Sequence, residues 1–340
     1  MAVTVISIDE LTALCARALE RAGASAANAL ALARQTADSD ASGQHSTGVG
    51  HLFDYIAGIR DGRINVKAEP NITRPAPAMI HSDAGGGLPQ TGFDMAFDNL
   101  VAAAKQFGIA MFAQNNAFTC GALGWFAARL AAEGLVSFAA TNGPKLIAAG
   151  GATKPVYCTN PIAFAAPRAD SRPVLIDQSS SSTAFVKLRH MAEAGETIPE
   201  GWAVDASGKP TTDAREAVKG ALLAFGGARG ANIALMVEIL GGGVAASNWA
   251  LDAPSFTSGS ECPRTGLFVM ALDPKLIDPG FAERLQAQTE RLANDYGVHI
   301  PGIGKAVARE RAGRDGIALD AALLERLREA AGGERAELRH

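Results

Sequence analysis

His45, Ser46 and Thr47, followed by Gly48, put an imidazole and two hydroxyls in one short segment ahead of an apolar-periodic stretch. An imidazole titrates near neutral pH and hydroxyls relay protons, so the segment suits acid–base work on a small substrate. It lacks the G-x-S-x-G elbow of many serine hydrolases, which weakens a Ser-His-Asp hydrolase reading. Asp177 ends the apolar run Val174-Leu175-Ile176 and is followed by Gln178 and four serines. A carboxylate there can orient a hydroxyl or ring nitrogen, or it can cap the next helix. In Phe225-Gly226-Gly227-Ala228-Arg229-Gly230 the glycines flank a lone Arg before an apolar helical stretch. Free N–H groups at a helix start, with a guanidinium beside them, suit a phosphate or carboxylate; an ordinary tight turn has the same composition.

Other motifs fail on context. Gly241-Gly242-Gly243-Val244-Ala245-Ala246 matches a dinucleotide fingerprint by letters, but ANIALMVEIL before it reads as helix and SNWALDAPSF after it as loop. A fingerprint needs strand, turn, helix and a later acid, so the run reads as a glycine-rich helix end. Gly85-Gly86-Gly87 lacks the Lys-Ser/Thr ending of a P-loop. The six histidines (45, 51, 81, 190, 299 and 340) show no HxxxH or HExxH spacing, and no metal is expected. Cys15, Cys120, Cys158 and Cys262 are scattered without a CxxC pair, as reduced thiols of a cytoplasmic protein would be.

These groups need a framework, and 340 residues at 48% hydrophobic and 19% charged can build one. Disorder, a collagen repeat and a disulfide miniprotein are excluded. The net charge of -4 with dispersed Lys and Arg argues against nucleic acid as partner. No apolar run approaches the ~20 residues of a membrane span, and the N-terminal stretch lacks the pattern of a signal peptide. Residues 7–40 read as two amphipathic helices, and 44–65 as a loop and third helix ending at Asp61-Gly62. The stretch with Pro70, Pro75 and Pro77 reads as an extended linker. Beyond it GIAMFAQN, LVSFAATN, PIAFAAP and VLIDQS alternate with helical patterns, which argues for an α/β domain with a substantial sheet. Residues 183–245 read as mostly helical, and the end as an amphipathic helix, a turn at His299–Gly302 and two polar helices. The expected division is 1–75 helical, 76–260 α/β and catalytic, and 261–340 packing back on the N-terminal helices.

Seven ordered blocks resemble the type-2 malate/L-lactate dehydrogenase family of NAD(P)-dependent oxidoreductases from about residue 8 to about residue 305. They are GQHSTGVGHLFDYI, NNAFTCGALGWFA, VYCTNPIAFAAP, VLIDQSSS, IPEGWAVDASGKPTTD, LLAFGGARGANIALMVEIL and VHIPG. The resemblance implies an α/β fold with a non-Rossmann NAD(P)-binding domain, wrapped by N- and C-terminal helical segments in a homodimer. It implies NADPH or NADH as cofactor and a small carboxylate as substrate. By the same resemblance Ser46, Thr47, His45 and Asp177 are the catalytic candidates, and His51 and Thr159 the substrate contacts. Phe118, Thr119, Cys120, Gly121, Ala122, Ile176, Gln178, Arg229, Gly304 and Lys305 are the implied cofactor contacts.

The departures carry chemistry. The family's loop reads Ser-His-Gly, so Thr47 stands where its proton-donating His would be, and Thr119 replaces a second His. His51 stands where the family often has Arg, and Arg229 where it has Lys. Reducing a ketone needs an acid for the developing alkoxide, and a threonine hydroxyl is too weak a one. A protonated cyclic imine already carries its proton. The expected activity is therefore NAD(P)H-dependent reduction of Δ1-pyrroline-2-carboxylate or Δ1-piperideine-2-carboxylate to proline or pipecolate. The alternatives are a 2-hydroxy acid dehydrogenase in which His45 supplies the proton, and a nucleotide-binding homologue without turnover.

Overall fold

The computed structural model describes residues 2–332. The chain opens with a short strand β1 (Val3–Ile6), then α1 (Ile8–Arg21) and α2 (Ala26–Ala41). Ser7 and Glu10 form a reciprocal capping box at the start of α1, and Ser25 caps α2, so both helices begin where local chemistry dictates. Helix α3 (Val49–Arg60) follows the His45–Thr47 turn. Leu11, Leu19, Leu32 and Leu52 from these helices are fully buried together. Burial of this kind contributes roughly 1.5–3 kcal/mol per large side chain.

β2 (Asn71–Ala76) and β3 (Met79–Asp83) come next, then α4 (Pro89–Phe107), β4 (Ile109–Ala117), α5 (Leu123–Ala132) and β5 (Val136–Thr141). The proline-rich linker expected here is thus a strand. Its Pro75 is tolerated because β2 lies at the sheet edge, paired only with β3, with a register shift between Thr73 and Ala76. A short strand β6 (Ile147–Ala148) precedes β7 (Ile162–Ala166) and β8 (Val174–Gln178).

The stretch 183–245 is less helical than its composition suggests. It runs α6 (Phe185–Ala194), β9 (Ala203–Val204), β10 (Pro210–Thr211), α7 (Ala214–Lys219), β11 (Ala221–Leu223) and α8 (Ala228–Glu238). β9, β10 and β11 join β6 in a small four-stranded sheet. Strands of two or three residues are too short to leave a period in the sequence. α8 runs on into a π-helical turn, Ile239–Val244, so the glycine triplet is a helix end. The chain closes with β12 (Thr265–Leu272), α9 (Phe281–Tyr296), α10 (Ile303–Asp315), β13 (Ile317–Asp320) and α11 (Ala321–Ala330). Residues 333–340, including His340, lie outside the described residues.

The main sheet has the order β2-β3-β4-β12-β5-β7-β8, with β3 and β4 parallel and every other pair antiparallel. β12 comes from far along the chain and fills the centre of this sheet. α4 and α5 cover one face through Phe93, Leu100, Phe126 and Leu130. β1 pairs with β13, tying the two chain ends together beside α1 and α11. The C-terminal ends of β3, β4, β5 and β8 and the N-terminal ends of β7 and β12 share one edge of the sheet. Among the described residues no helix is long and apolar enough to cross a membrane.

Candidate active site

That edge gathers most of the residues singled out from the sequence, in three groups. The first lies where α3 meets the loop after β4. Tyr55 of α3 donates its hydroxyl to the Thr119 carbonyl at 3.0 Å and packs edge-on against Phe118. His51, one turn earlier on α3, packs edge-on against Tyr55, and its Nδ1 pairs with Asp54 at 2.8 Å. Two buried glutamines, unremarked in the sequence, clamp this loop from below. Gln35 donates to the Ala122 carbonyl, and Gln90 donates to Gln35 Oε1 and to the Cys120 carbonyl. Burial, with Asp177 nearby, pushes the Cys120 thiol up to about 12, so it stays neutral and packs as an apolar group.

The second group surrounds Asp177. The next helix, α6, starts at Phe185 with Ala184 at its cap, so Asp177 does not cap it. Its side chain is 12% exposed and lies 3.9 Å from Lys305 Nζ, while Gln44 Nε2 donates to it at 3.4 Å. It also sits over the first turn of α5. A Cβ on Gly124 would come within 2.7 Å of Asp177 Oδ2, so only glycine admits the carboxylate there. The N-terminal end of α5 and the Lys305 ammonium thus both stand beside the carboxylate. Ile176 and Gln178 flank it on β8 and, by strand alternation, point to the opposite face. Gly304 is exposed in the first turn of α10. Neither Ser46 nor Thr47 is hydrogen-bonded to Asp177 among the described residues. An Asp177–Ser46 relay is therefore not formed; a glutamine, not the serine, reaches the carboxylate.

The His45–Thr47 loop forms a different carboxylate pair. Asp40, near the end of α2, has a side chain only 2% exposed. Its Oδ1 pairs with His45 Nδ1 at 2.8 Å, and its Oδ2 accepts the Val49 N–H at 2.7 Å. Burial raises the Asp40 carboxyl above its ordinary value, opposed by these bonds. Gly48 lies flat against this carboxylate, where a Cβ would collide with it. Thr47 turns inward and donates to the Gln44 carbonyl at 3.1 Å, with Ser39 Oγ at 3.3 Å. Ser46 is exposed, and the His45 side chain is 64% exposed. Asp40 escaped the sequence reading, although an acid on the apolar face of α2, seven residues after Ala33, is a usable signal.

The third group brings Thr159 and Arg229 to the serine run. The Thr159 carbonyl accepts the Ser180 N–H at 2.7 Å, and the Ser180 carbonyl accepts the Phe225 N–H at 3.0 Å. Arg229 is exposed in the first turn of α8, where the Gly230 N–H is spent on the Phe225 carbonyl. A cleft of about 970 Å³ runs from Gln44, Gly124 and Lys305 along α5. Its walls include Trp125, Leu175 and Arg168. The Arg168 side chain is 6% exposed, and its buried Nε has no partner among the described residues. No cluster of three or more His, Cys, Asp or Glu able to hold a metal ion occurs among the described residues.

A family profile described as malate/L-lactate dehydrogenase matches residues 6–328. A (2R)-3-sulfolactate dehydrogenase (NADP(+)) of Chromohalobacter salexigens is 35% identical over 325 residues, which cover 95% of this chain and 97% of that one. A Δ1-pyrroline-2-carboxylate/Δ1-piperideine-2-carboxylate reductase of Pseudomonas aeruginosa is 34% identical over 322 residues, 94% of this chain and 96% of that one. The solved structure of a Δ1-piperideine-2-carboxylate reductase from Pseudomonas syringae pvar. tomato superposes with a TM-score of 0.92 at 31% identity. It covers 96% of this chain and 99% of that chain.

Proposed function

Since the chain belongs to the malate/L-lactate dehydrogenase family and is an oxidoreductase, we propose that it reduces Δ1-pyrroline-2-carboxylate or Δ1-piperideine-2-carboxylate to proline or pipecolate. The observation that carries this is the inward turn of Thr47, whose hydroxyl is spent on the Gln44 carbonyl and Ser39. Position 47 thus presents no acid to a ketone oxygen, whereas the nitrogen of a cyclic imine is basic enough to take its proton before hydride transfer, from solvent or from a group other than residue 47.

The long cleft fits a phosphate-bearing dinucleotide. Its volume of about 970 Å³ lies within the ordinary range of cofactor pockets, and Lys305, Arg168 and Lys275 give it cations. Bound there, NADPH or NADH supplies the reducing hydride. On this reading Ala122 and Lys305 line the cofactor's path, with Phe118, Thr119, Cys120, Gly121, Ile176, Gln178, Arg229 and Gly304 near it. Asp177 holds Lys305 and Gln44 in place, and Thr159 and His51 contact the substrate carboxylate.

Residues 1–75 serve mainly as a helical wrap and 76–260 as the non-Rossmann catalytic unit, with β2 at the edge and β12 from the segment after 260 at the centre of its main sheet. Leu235, Met236, Ile239, Val244, Trp249 and Leu251 are exposed in one run, an apolar face suited to a homodimer. The compartment consistent with four free thiols is the cytoplasm.

The test follows loss of dihydronicotinamide absorbance with both cyclic imines, pyruvate and oxaloacetate. Turnover of an imine alone or preferentially supports the assignment; turnover of the 2-oxo acids alone overturns it. A second reading, interconversion of a 2-oxo and a 2-hydroxy acid, is favoured by the exposed His45 imidazole and by the likeness to a sulfolactate dehydrogenase.

A further inference from the structure

The imidazole that the loop lacks at position 47 stands two residues earlier, and it comes with its own carboxylate. We infer that Asp40 is a positioning residue that holds His45 as the group keeping the substrate nitrogen protonated; this rests on the cyclic-imine reading above.

Three features of the loop support the assignment. Asp40 is enclosed, and each of its oxygens has a single directed partner, His45 Nδ1 at 2.8 Å and the Val49 N–H at 2.7 Å. The Val49 N–H is the first of α3, so the bond fixes the carboxylate to a helix start and leaves it little freedom to turn. An ionised carboxylate can only accept, so the imidazole it binds carries its proton on Nδ1 when neutral. That leaves Nε2 as the free nitrogen of a ring whose side chain is 64% exposed. Gly48 packs against the same carboxylate without a side chain, so the enclosure is built into the backbone. The residue before His45, Gln44, reaches Asp177 and lines the cleft. The loop that presents His45 is therefore anchored at the cleft. Thr47 is turned away into the loop, its hydroxyl on the Gln44 carbonyl.

The step balances simply. The Nε2–H bond of the imidazolium breaks, and its proton joins the lone pair of the imine nitrogen to give an iminium. A bound NAD(P)H would supply the hydride to the ring carbon and leave as NAD(P)+, with the C=N π pair becoming the nitrogen lone pair of the amine. Neutral His45 regains a proton from solvent through its exposed side.

The experiment uses the full chain with His45→Gln, Asp40→Asn and the double variant, assayed with each cyclic imine under saturating NADPH. His45→Gln is expected to lower kcat by roughly 10–100-fold, and Asp40→Asn by roughly 10-fold, with cofactor affinity from fluorescence titration unchanged. The double variant is expected to be no slower than His45→Gln alone, because Asp40 acts only through the imidazole. If Asp40→Asn costs as much in the His45→Gln background as in the wild type, Asp40 is structural and the proposal falls. Unchanged kcat in His45→Gln overturns it as well. A second measurement needs no turnover. With only six histidines, the ring nitrogens of 15N-histidine-labelled protein can be assigned by loss of one spin system in His45→Gln. At a pH where the ring is neutral, His45 should show the Nδ1-protonated tautomer in the wild type and a mixture in Asp40→Asn. The same tautomer balance in both would overturn the pairing, even if no imine is a substrate and the functional reading itself has failed.

Discussion

The molecule holds two enclosed aspartates at its candidate site, and they are enclosed in opposite ways. Asp177 stands at the sheet edge, with an ammonium nearby, a helix N-terminus beneath it and an amide from Gln44. Asp40 stands in the helical layer with a side chain 2% exposed, one backbone N–H and one imidazole. The first carboxylate is surrounded by positive charge that is there whatever the protonation state of a histidine. The second is compensated fully only when its imidazole is charged. Charge that is compensated permanently suits a fixed role beside a cofactor; charge compensated conditionally suits a place where a proton comes and goes.

The contrast can be broken by experiment. Asp177→Asn should lower kcat/KM by about 100-fold or more, because Lys305 and Gln44 lose the group that holds them across the cleft. A loss no larger than that of Asp40→Asn would erase the distinction between the two carboxylates. Gly124→Ala should displace Asp177 and cost about 10-fold in kcat/KM, with a smaller change in melting temperature than core truncations produce. Unaltered kinetics would mean that the close approach of α5 to the carboxylate is dispensable.

The pH dependence of stability is a finer discriminator. Burial raises the Asp40 carboxyl in the folded state, so protonation favours the fold. That contribution is fully present below its ordinary value of 3.8 and is lost as pH rises through the raised folded value. Asp40→Asn should therefore gain on the wild type in melting temperature as pH climbs from below 3.8 toward neutrality. A difference that is constant across this range, or of opposite sign, would show that Asp40 is as comfortable as an exposed acid. The smallest effect concerns the thiols. With its thiol pushed up to about 12, Cys120 should resist iodoacetamide at pH 8 in the folded protein, and rapid modification of Cys120 found by peptide mass mapping would place it in a different environment.

Much of this was open to reading in one dimension. The amphipathic spacing of Leu11, Leu14, Ala18 and Leu19 and the Ser7 box specify α1, because the helical period and the cap are local. The apolar runs of β4, β5, β7 and β8 were legible for the same reason. So were the His45–Thr47 turn and the helix end at the glycine triplet. The strand from the proline-rich stretch was not, since an edge position is a property of the whole sheet. Nor was the insertion of β12 between β4 and β5, which depends on a pairing across more than 120 residues of chain. At the site, the sequence supplied Asp177, His45 and the replacement of histidine by Thr47. It did not supply their partners. Gln44, Gly124 and Lys305 meet Asp177, and Asp40 meets His45, only through the packing of α2, α5 and α10 around the sheet. Residue type sets what a group can do chemically, but its protonation and its aim are set by neighbours that folding brings from elsewhere in the chain.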